Sequence, residues 1–490
     1  MKSTKAACAH GLTIKNPVFP VVQQDFCNTM RPNLYTSGNI TGIQGPLLFL
    51  RRTVNVGLNE AVEVYGADGK ARQGRVAALD EQVMTVEVLE NTDGLALAET
   101  RVRFLGQPLH FALGPDILGR IFNGVGKVID GGPPISAEQN LRIDGLAINP
   151  AQRAQPADFI ETGISAIDLM NSLVRGQKLP IFSGAGMPHE RIAIQIAKRA
   201  RLRGTESGDF AIVFVGIGVP YHTAESFRRA MENSGALAHT VMFLNLASDS
   251  STQRLLTPRY ALTAAEYLAF VEGRHVLVIL SDMTNYCEAL REVSASHAEV
   301  PSRKGYPGYM YSDLAALYER AGCIKNNPGS LTQLPILTMP SDDITHPIPD
   351  LTGYITEGQI VLDRELDRRG VYPPIKVLPS LSRLMKDGIG AGFTDPDHPA
   401  LASQLYAAYA RAVQVRVLAS VVGVEGLPAL DRSYLEFGDA FENDLVQQID
   451  ARTLEQSMEL GWQLLRRLPQ NELHRLSDAQ IAAHLGREHG

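Results

Sequence analysis

Residues Ile181 to Ala200 have the sequence IFSGAGMPHERIAIQIAKRA, and this stretch decides the fold class. An apolar strand leads into a Ser-Gly-Ala-Gly loop and then into a strongly helical run, which is the strand–loop–helix arrangement that cradles nucleotide phosphates. In the usual pattern, G-x-x-x-x-G-K-[ST], backbone N–H groups and the helix dipole attract phosphate oxygens, a lysine neutralises charge and a hydroxyl ligates Mg²⁺. The loop retains Gly184 and Gly186 but differs at all four signature positions, which carry Ser183, Pro188, His189 and Glu190.

Three of these differences work against binding of ATP with magnesium. Pro188 removes a backbone donor and fixes φ. Glu190 places negative charge near the phosphates, where repulsion is expected, and a histidine, unlike a lysine, is mostly uncharged at neutral pH. A hydrolase also needs a group that orients or deprotonates water, commonly a carboxylate. After the next strand, Val219 and Pro220 stand where a glutamate would serve, so the sequence predicts a loop that has lost both its cradle chemistry and its base.

Unbroken apolar runs separated by helix-length stretches predict a parallel sheet covered by helices on both faces. The runs are Leu179–Phe182, Phe210–Val215, Val241–Leu246, Val276–Leu280 and Pro335–Met339. Ligands of such sheets bind at the carboxyl ends of the strands, which here carry Ser183, Gly216, Ser248, Asp282 and Ser341. Asp282 could hold magnesium through water, or it could be a relic or a loop-capping residue. For Ser248 and Ser341 we favour polar residues that simply leave the sheet.

The regions on either side differ in pattern. Up to about Gln107, short β-branched runs and Gly-rich turns predict a small barrel or sandwich. Beyond about Leu381, an apolar stripe at helical spacing predicts a helical bundle, and Ser477-Asp-Ala-Gln480 is a capping box that starts a last helix. The predicted domains are an N-terminal segment with a β-barrel (1–107), a nucleotide-binding-type α/β domain with a degenerate phosphate loop (108–380) and a C-terminal helical domain (381–490).

Composition limits the function classes. A formal net charge of −7 argues against a protein that coats nucleic acid or anionic lipid. Cys8, Cys27, Cys287 and Cys323 have no CxxC spacing, which indicates reduced thiols in a cytosolic chain and neither a zinc site nor a disulfide framework. The first residues are too few and too polar for a signal peptide, and no stretch approaches the roughly 20 apolar residues of a membrane span. Any work at a membrane is therefore expected to go through partners.

Four long motifs carry a resemblance to a known family: Ile181–His189, Ser281–Ser294, Pro301–Tyr311 and Leu378–Met385. With them the chain resembles the non-catalytic B subunits of V-type and A-type rotary ATPases, which also serve as ATP synthases, and Pro373–Ser382 fits the signature of the α/β-type subunits. The resemblance implies an N-terminal β-barrel, a central RecA-like parallel sheet and a C-terminal helical bundle. It also implies a ring in which B subunits alternate with catalytic A subunits around a central stalk, with peripheral stalks beside it.

The resemblance implies a location at the cytoplasmic face of a membrane, as a peripheral part of the complex. ATP or ADP with magnesium would bind at the interface with the catalytic subunit, none strongly by this chain, and turnover would be coupled to proton or sodium flow. We expect no metal site and no nucleic-acid partner. The fold would be retained because a ring needs similar wedges.

The resemblance also assigns roles to single residues. Arg383, in Pro-Ser-Leu-Ser-Arg-Leu-Met, would reach into the partner's site, where a planar guanidinium suits the charge on a transferring phosphoryl group; without the resemblance, a surface salt bridge would be the simpler assignment. Tyr372 matches the aromatic residue that stacks on adenine, with interface or core packing as the alternative. Glu357 and the Arg364/Arg368/Arg369 cluster would line the subunit interface or, as we favour, a solvated helical face. Asp342–Pro347 would contact the stalk or form a plain turn.

Three other functions remain to be weighed. A self-sufficient hexameric ATPase would keep Gly-Lys-Thr and the catalytic glutamate. A regulatory subunit that holds ATP without hydrolysing it would keep Lys-Thr in the loop. An RNA-translocating hexamer is disfavoured by the loop chemistry and the net charge.

Overall fold

The computed structural model describes residues 35–37, 39–145, 147–203 and 209–486. Cys8, Cys27 and the N-terminal residues considered for a signal peptide lie outside this range. The N-terminal part is one antiparallel sheet with strand order β1-β7-β4-β5-β6-β3-β2. Its strands are β1 (Tyr35–Ser37), β2 (Ile40–Gln44), β3 (Leu47–Arg51), β4 (Glu60–Tyr65), β5 (Ala71–Leu79), β6 (Val83–Val88) and β7 (Arg101–Pro108).

Alternation of side chains explains this sheet. Successive residues of a strand point to opposite faces, and Val62, Val64, Val76, Val86 and Val102 lie on the face that encloses a separate hydrophobic core. Residues 66–69 begin and end with glycine, a composition typical of turns, and they connect β4 and β5.

The central part is built on a ten-stranded sheet with the order β22-β21-β14-β20-β18-β16-β17-β9, to which β19 and β11 add at one side. The strands from β21 to β9 are mutually parallel, whereas β22 is antiparallel to β21. The strands are β8 (His110–Leu113), β9 (Ile121–Asn123), β10 (Gln139–Arg142), β11 (Arg153–Ala154), β12 (Phe159–Glu161), β13 (Leu173–Val174), β14 (Ile181–Gly184), β15 (Arg201–Leu202), β16 (Phe210–Val219), β17 (Thr240–Leu246), β18 (His275–Ser281), β19 (Gly322–Ile324), β20 (Ser330–Met339), β21 (Gly358–Leu362) and β22 (Ile375–Ser382).

Both faces of this sheet are buried, as the continuous apolar runs predicted. Ile212 and Phe214 of β16 join one hydrophobic core, and Val213 and Val215 join the other. The helices of this part are α1 (Ser165–Asp168), α2 (His189–Arg199), α3 (Tyr221–Ser234), α4 (Ser251–Glu266), α5 (Met283–Ser296), α6 (Met310–Tyr318), α7 (Pro347–Ile355), α8 (Arg364–Arg368) and α9 (Met385–Gly388). One prediction was wrong in detail: Gly216 does not end its strand, because β16 continues to Val219.

The C-terminal part is helical, with α10 (His398–Val422), α11 (Ala429–Ala440), α12 (Leu454–Leu465) and α13 (Asp478–Leu485). The predicted capping box is confirmed, since Ser477 and Gln480 exchange side chain–backbone bonds at the start of α13. By length and composition alone α10 would also suit a membrane span; in the structure, Leu401 and Leu405 on one side of it are buried in the core, and α10 packs against α11 and α12. The domain limits at residues 107 and 380 stay predictions.

Candidate functional site

The phosphate-type loop lies between β14 and α2, at the carboxyl edge of the central sheet. Ser183 is buried, and its hydroxyl lies 3.2 Å from Nδ1 of His189, the first residue of α2. Pro188 occupies the N-cap position of α2 and offers no side-chain cap. Glu190 Oε2 accepts a long 3.5 Å bond from the Thr223 hydroxyl. The strand–loop–helix outline is therefore present, but the side chains of Ser183, His189 and Glu190 bond within the chain.

An internal ion pair covers the start of the loop. Arg364, at the start of α8, donates from Nε and Nη2 to the two oxygens of Asp342 at 2.7 and 2.9 Å. Nη2 also donates to the carbonyl of Ala185 at 2.9 Å. A Cβ built on Gly184 would lie 2.3 Å from Asp342 Oδ1 and 2.7 Å from Arg364 Nη2, so a larger residue there would displace the side chains of the pair. The hydrogen bonds from Arg364 hold the pKa of Asp342 below its usual value.

Tyr372 is also engaged within the chain. The guanidinium carbon of Arg191 lies 3.8 Å from the centre of the Tyr372 ring, in cation–π geometry. The phenol donates to Gln195 Oε1 at 3.0 Å, and burial raises the pKa of Tyr372 to about 12. Both partners come from α2, so this aromatic residue packs on the helix that follows the loop.

Asp282 is a buried N-cap for α5. Its Oδ1 accepts from the backbone N–H of Thr284 at 2.7 Å and of Thr338 at 3.2 Å, and its Oδ2 accepts from the Thr338 hydroxyl. Since both oxygens have donors, this geometry matches the loop-capping alternative. Gathered groups of three or more His, Cys, Asp or Glu side chains suited to a metal ion are absent from the part of the chain that the structure describes.

The carboxylates of Asp342 and Asp343 point to different partners. Asp342 pairs with Arg364, whereas Asp343 accepts from the backbone and hydroxyl of Thr345 and pairs with Lys304 at 3.4 Å. They form part of a tight turn in which Asp342 has φ of 54°. The two remaining strand-end candidates, Ser248 and Ser341, are exposed.

Arg383 directly follows β22 and is exposed. Its Nη1 donates to the carbonyl of Thr356 at 2.9 Å, and its backbone N–H donates to the carbonyl of Glu357 at 2.9 Å. Within residues 39–145, 147–203 and 209–486, no carboxylate forms an ion pair with this guanidinium. The salt bridge that would have been its simplest assignment is therefore missing from the described residues.

The remaining charged candidates only partly match the solvated helical face that we favoured. That placement was wrong for Glu357, which lies in the connection between α7 and β21 and pairs with Lys178. Arg368 is exposed in α8 as expected, whereas Arg364 and Arg369 both form ion pairs within the chain. Sequence reasoning did not single out Lys178, although a lysine beside a fully buried strand was a usable signal.

Three family models match successive parts of the chain. The beta-barrel domain of the ATP synthase alpha/beta family matches residues 40–106, and the nucleotide-binding domain of that family matches residues 163–382. The C-terminal domain of V and A type ATP synthase matches residues 387–485. The predicted order of barrel, nucleotide-binding sheet and helical domain is thus confirmed.

Similar proteins cover most of the chain. The V-type ATP synthase beta chain of Halothermothrix orenii is 56% identical over 90% of this chain and 96% of its own length. The B subunit of the A-type ATP synthase of Aeropyrum pernix is 55% identical over 90% and 96%. A solved ATP synthase subunit, NeqB from Nanoarcheaum equitans, superposes with a TM-score of 0.69 at 38% identity, covering 86% of this chain and 100% of that one. The chain therefore belongs to the family of V-type and A-type ATP synthase B subunits, which are components of membrane-associated rotary ATPase complexes.

Proposed function

We propose that this chain is the non-catalytic partner in an alternating ring with catalytic A subunits, and that Arg383 acts in trans at the neighbour's nucleotide site. In this proposal the ring contacts a central stalk and peripheral stalks at the cytoplasmic face of a membrane, and turnover is coupled to transport of protons or sodium. Family membership supports other ATP synthase subunits as partners.

The chain's own loop does not fit magnesium and ATP. A phosphate cradle needs an ammonium, a hydroxyl for Mg²⁺ and free backbone donors. Here the imidazole of His189 is held beside the Ser183 hydroxyl, and Glu190 brings a carboxylate to the first turn of α2. No step of ATP chemistry is therefore assigned to this loop.

Two further contacts weaken a nucleotide site in this chain. The Asp342 carboxylate is held 2.9 Å from the same Arg364 nitrogen that bonds the loop carbonyl of Ala185, so an approaching phosphate would meet a negative charge. One face of the Tyr372 ring carries the Arg191 guanidinium, so an adenine could stack on that face only after displacing it.

The single observation that carries the proposal is the state of Arg383. Its guanidinium is exposed, is anchored through one nitrogen to a carbonyl, and has no carboxylate partner within the described residues. Five N–H donors in a planar fork suit the oxygens of a transferring γ-phosphoryl group. Arginines supplied in trans accelerate phosphoryl transfer by about 10³–10⁵ in other systems.

Turnover of the assembled complex tests the assignment. With Arg383→Ala we expect the ring to assemble and ATP hydrolysis to fall by about 10³-fold or more, while Arg383→Lys recovers only a small part, because an ammonium lacks the planar fork. Lys386→Ala is the matched control, since Lys386 is an exposed cation in the same segment, and it should leave turnover unchanged. Ring assembly with normal turnover in Arg383→Ala would remove the assignment.

Calorimetry of the isolated chain tests the alternative function, a regulatory role in which the chain holds ATP without hydrolysing it. We expect no heat of binding for Mg·ATP. Tight binding would favour the alternative. It would also show that the internal contacts around Gly184 and Tyr372 open for the ligand.

A further inference from the structure

Lys178 is a buried cation three residues before the start of β14. Its side chain is only 6% exposed, and its Nζ lies 2.9 Å from Oε1 of Glu319 and 2.9 Å from Oε1 of Glu357. A buried charge is costly unless it is paired and hydrogen-bonded. The two carboxylates therefore neutralise this ammonium.

Lys178 contacts both the side chain and the backbone of Glu357. The backbone N–H of Lys178 donates to Glu357 Oε2 at 2.7 Å, while the ammonium contacts Oε1. In the opposite direction, the backbone N–H of Glu357 donates to the carbonyl of Lys178 at 3.0 Å. These three contacts fix both the backbone and the side chain of Glu357 beside Lys178, at the amino ends of β14 and β21.

Arg383 rests on the same segment. Its guanidinium donates to the carbonyl of Thr356, and its backbone N–H donates to the carbonyl of Glu357. Gln177 reinforces the contact, since its Nε2 donates to the Glu357 carbonyl at 3.2 Å and to the Ser382 hydroxyl at 2.9 Å. Both carbonyls that position Arg383 thus belong to a segment that is held by Lys178.

The contact between the two segments is tight. A Cβ built on Gly358 would lie 2.0 Å from the carbonyl oxygen of Leu381, and Gly358 has φ of 139°. A displacement of residues 356–358 would consequently be transmitted to the end of β22 and to Arg383.

We propose that Lys178 and Glu357 are positioning residues for Arg383, acting through the Thr356 and Glu357 carbonyls. The inference rests on the proposed role of Arg383 in trans. Groups that act on a transition state must be held within about 0.5 Å of the productive geometry, and a misplacement of about 1 Å can cost about 10²-fold in rate. Loss of the Lys178–Glu357 pair should therefore reduce turnover although neither side chain reaches the reacting atoms.

A double-mutant cycle in the assembled complex tests this inference. The variants are Glu357→Gln, Arg383→Ala and the two combined, with kcat and KM for ATP measured for each. We expect Glu357→Gln to lower kcat about 10- to 100-fold with little change in KM. In the Arg383→Ala background the same substitution should cause no further loss, because the group that it positions is already gone.

Glu319→Gln is the matched control. Glu319 contacts the same ammonium, but its other contact is Arg153 rather than the segment under Arg383. Lys178 keeps Glu357 as its counter-charge in this variant, so kcat should stay at the wild-type value. Lys178→Gln is measured in the same way, alone and combined with Arg383→Ala. The inference can then still be tested if the complex with Glu357→Gln fails to assemble.

The outcomes separate this inference from the proposed function. If Arg383→Ala abolishes turnover and both Glu357→Gln and Lys178→Gln retain the wild-type kcat, the positioning role is wrong and the role of Arg383 stands. If the losses from Glu357→Gln and Arg383→Ala multiply, Glu357 acts elsewhere and the inference is likewise overturned. Normal turnover in Arg383→Ala would instead overturn the role in trans, and the inference with it.

Discussion

Glu442 connects the nucleotide-binding domain to the helical domain, and its replacement by glutamine should destabilise the chain. Its side chain is 1% exposed and accepts three bonds: from Tyr409 Oη at 2.7 Å, from Arg416 Nη1 at 2.7 Å and from Arg369 Nη2 at 2.5 Å. Arg369 follows α8 of the central part, whereas Tyr409 and Arg416 lie in α10. One carboxylate thus accepts donors from both domains.

The expected loss of unfolding free energy depends on which hydrogen bonds the glutamine can still make and on how well water can solvate the two arginines. A hydrogen bond to a charged group contributes about 1.5–3 kcal/mol, and removal of one partner of a fully buried ion pair costs about 3–5 kcal/mol. Here the side chains of Arg369 and Arg416 are 39% and 36% exposed, so water can solvate them after the substitution. The glutamine carbonyl also keeps one acceptor. We therefore expect Glu442→Gln to lower the free energy of unfolding by about 2–3 kcal/mol.

Urea unfolding of the isolated chain measures this change with two probes. Trp462, the one tryptophan of the sequence, is buried in α12 and reports on the helical domain, while far-UV circular dichroism reports on all domains. The Trp462 transition should move to lower urea and separate from the circular dichroism transition, as expected when two domains lose their coupling. Glu455→Gln is the control, because the Arg203–Glu455 pair is exposed on both sides, and it should not shift either transition.

The same variant has a defined pH dependence. Burial raises the pKa of Glu442, but the bonds from Arg416, Tyr409 and Arg369 outweigh burial, so the pKa lies below its ordinary value of 4.5. A lowered carboxyl pKa adds stability above the unfolded-state value, and this stability disappears as the pH falls towards the folded-state value. The difference between wild type and Glu442→Gln should therefore shrink below about pH 4.5. Ordinary surface substitutions change the free energy of unfolding by no more than about 0.5 kcal/mol. A difference below that between wild type and Glu442→Gln at pH 7 would refute the stabilising role assigned to Glu442.

Three further outcomes are expected. The isolated chain should show no ATPase activity, which a coupled-enzyme assay checks in the presence of magnesium. Asp130→Asn should reduce stability at neutral pH and flatten its fall between about pH 4 and pH 2, since hydrogen bonds from Arg120 lower the pKa of Asp130 to about 2; parallel acid-unfolding curves for wild type and variant would contradict this. The Cys287 and Cys323 thiols are buried, and burial raises the pKa of both. In a Cys8→Ser/Cys27→Ser background, reaction with a thiol reagent should be slow in the native state and fast in urea.

The sequence was sufficient for the fold class and for the substitutions at the signature positions of the loop. Apolar runs at Phe210–Val215 and Val276–Leu280 correspond to the observed strands β16 and β18, because continuous burial is imposed by helices on both faces of a parallel sheet. The replaced residues at Pro188 and His189 are likewise readable from the chain alone, since the phosphate cradle is a local strand–loop–helix unit. The role of Arg383 came from a resemblance in its motif and stays a prediction.

The tertiary structure alone decided which distant residues contact one another. Lys178 pairs with Glu357, Arg364 bonds Ala185 and Tyr372 bonds Gln195, and each pair is separated by almost 180 residues in the chain. These pairs form because β14 lies between β20 and β21, which brings the loop and α2 beside a segment from much later in the sequence. Hydrophobic periodicity specifies which face of a strand or helix is buried, but it does not specify which strand lies beside which. Only the packed sheet determines that Arg364 pairs with the Asp342 carboxylate, whereas the guanidinium of Arg383 donates to the Thr356 carbonyl.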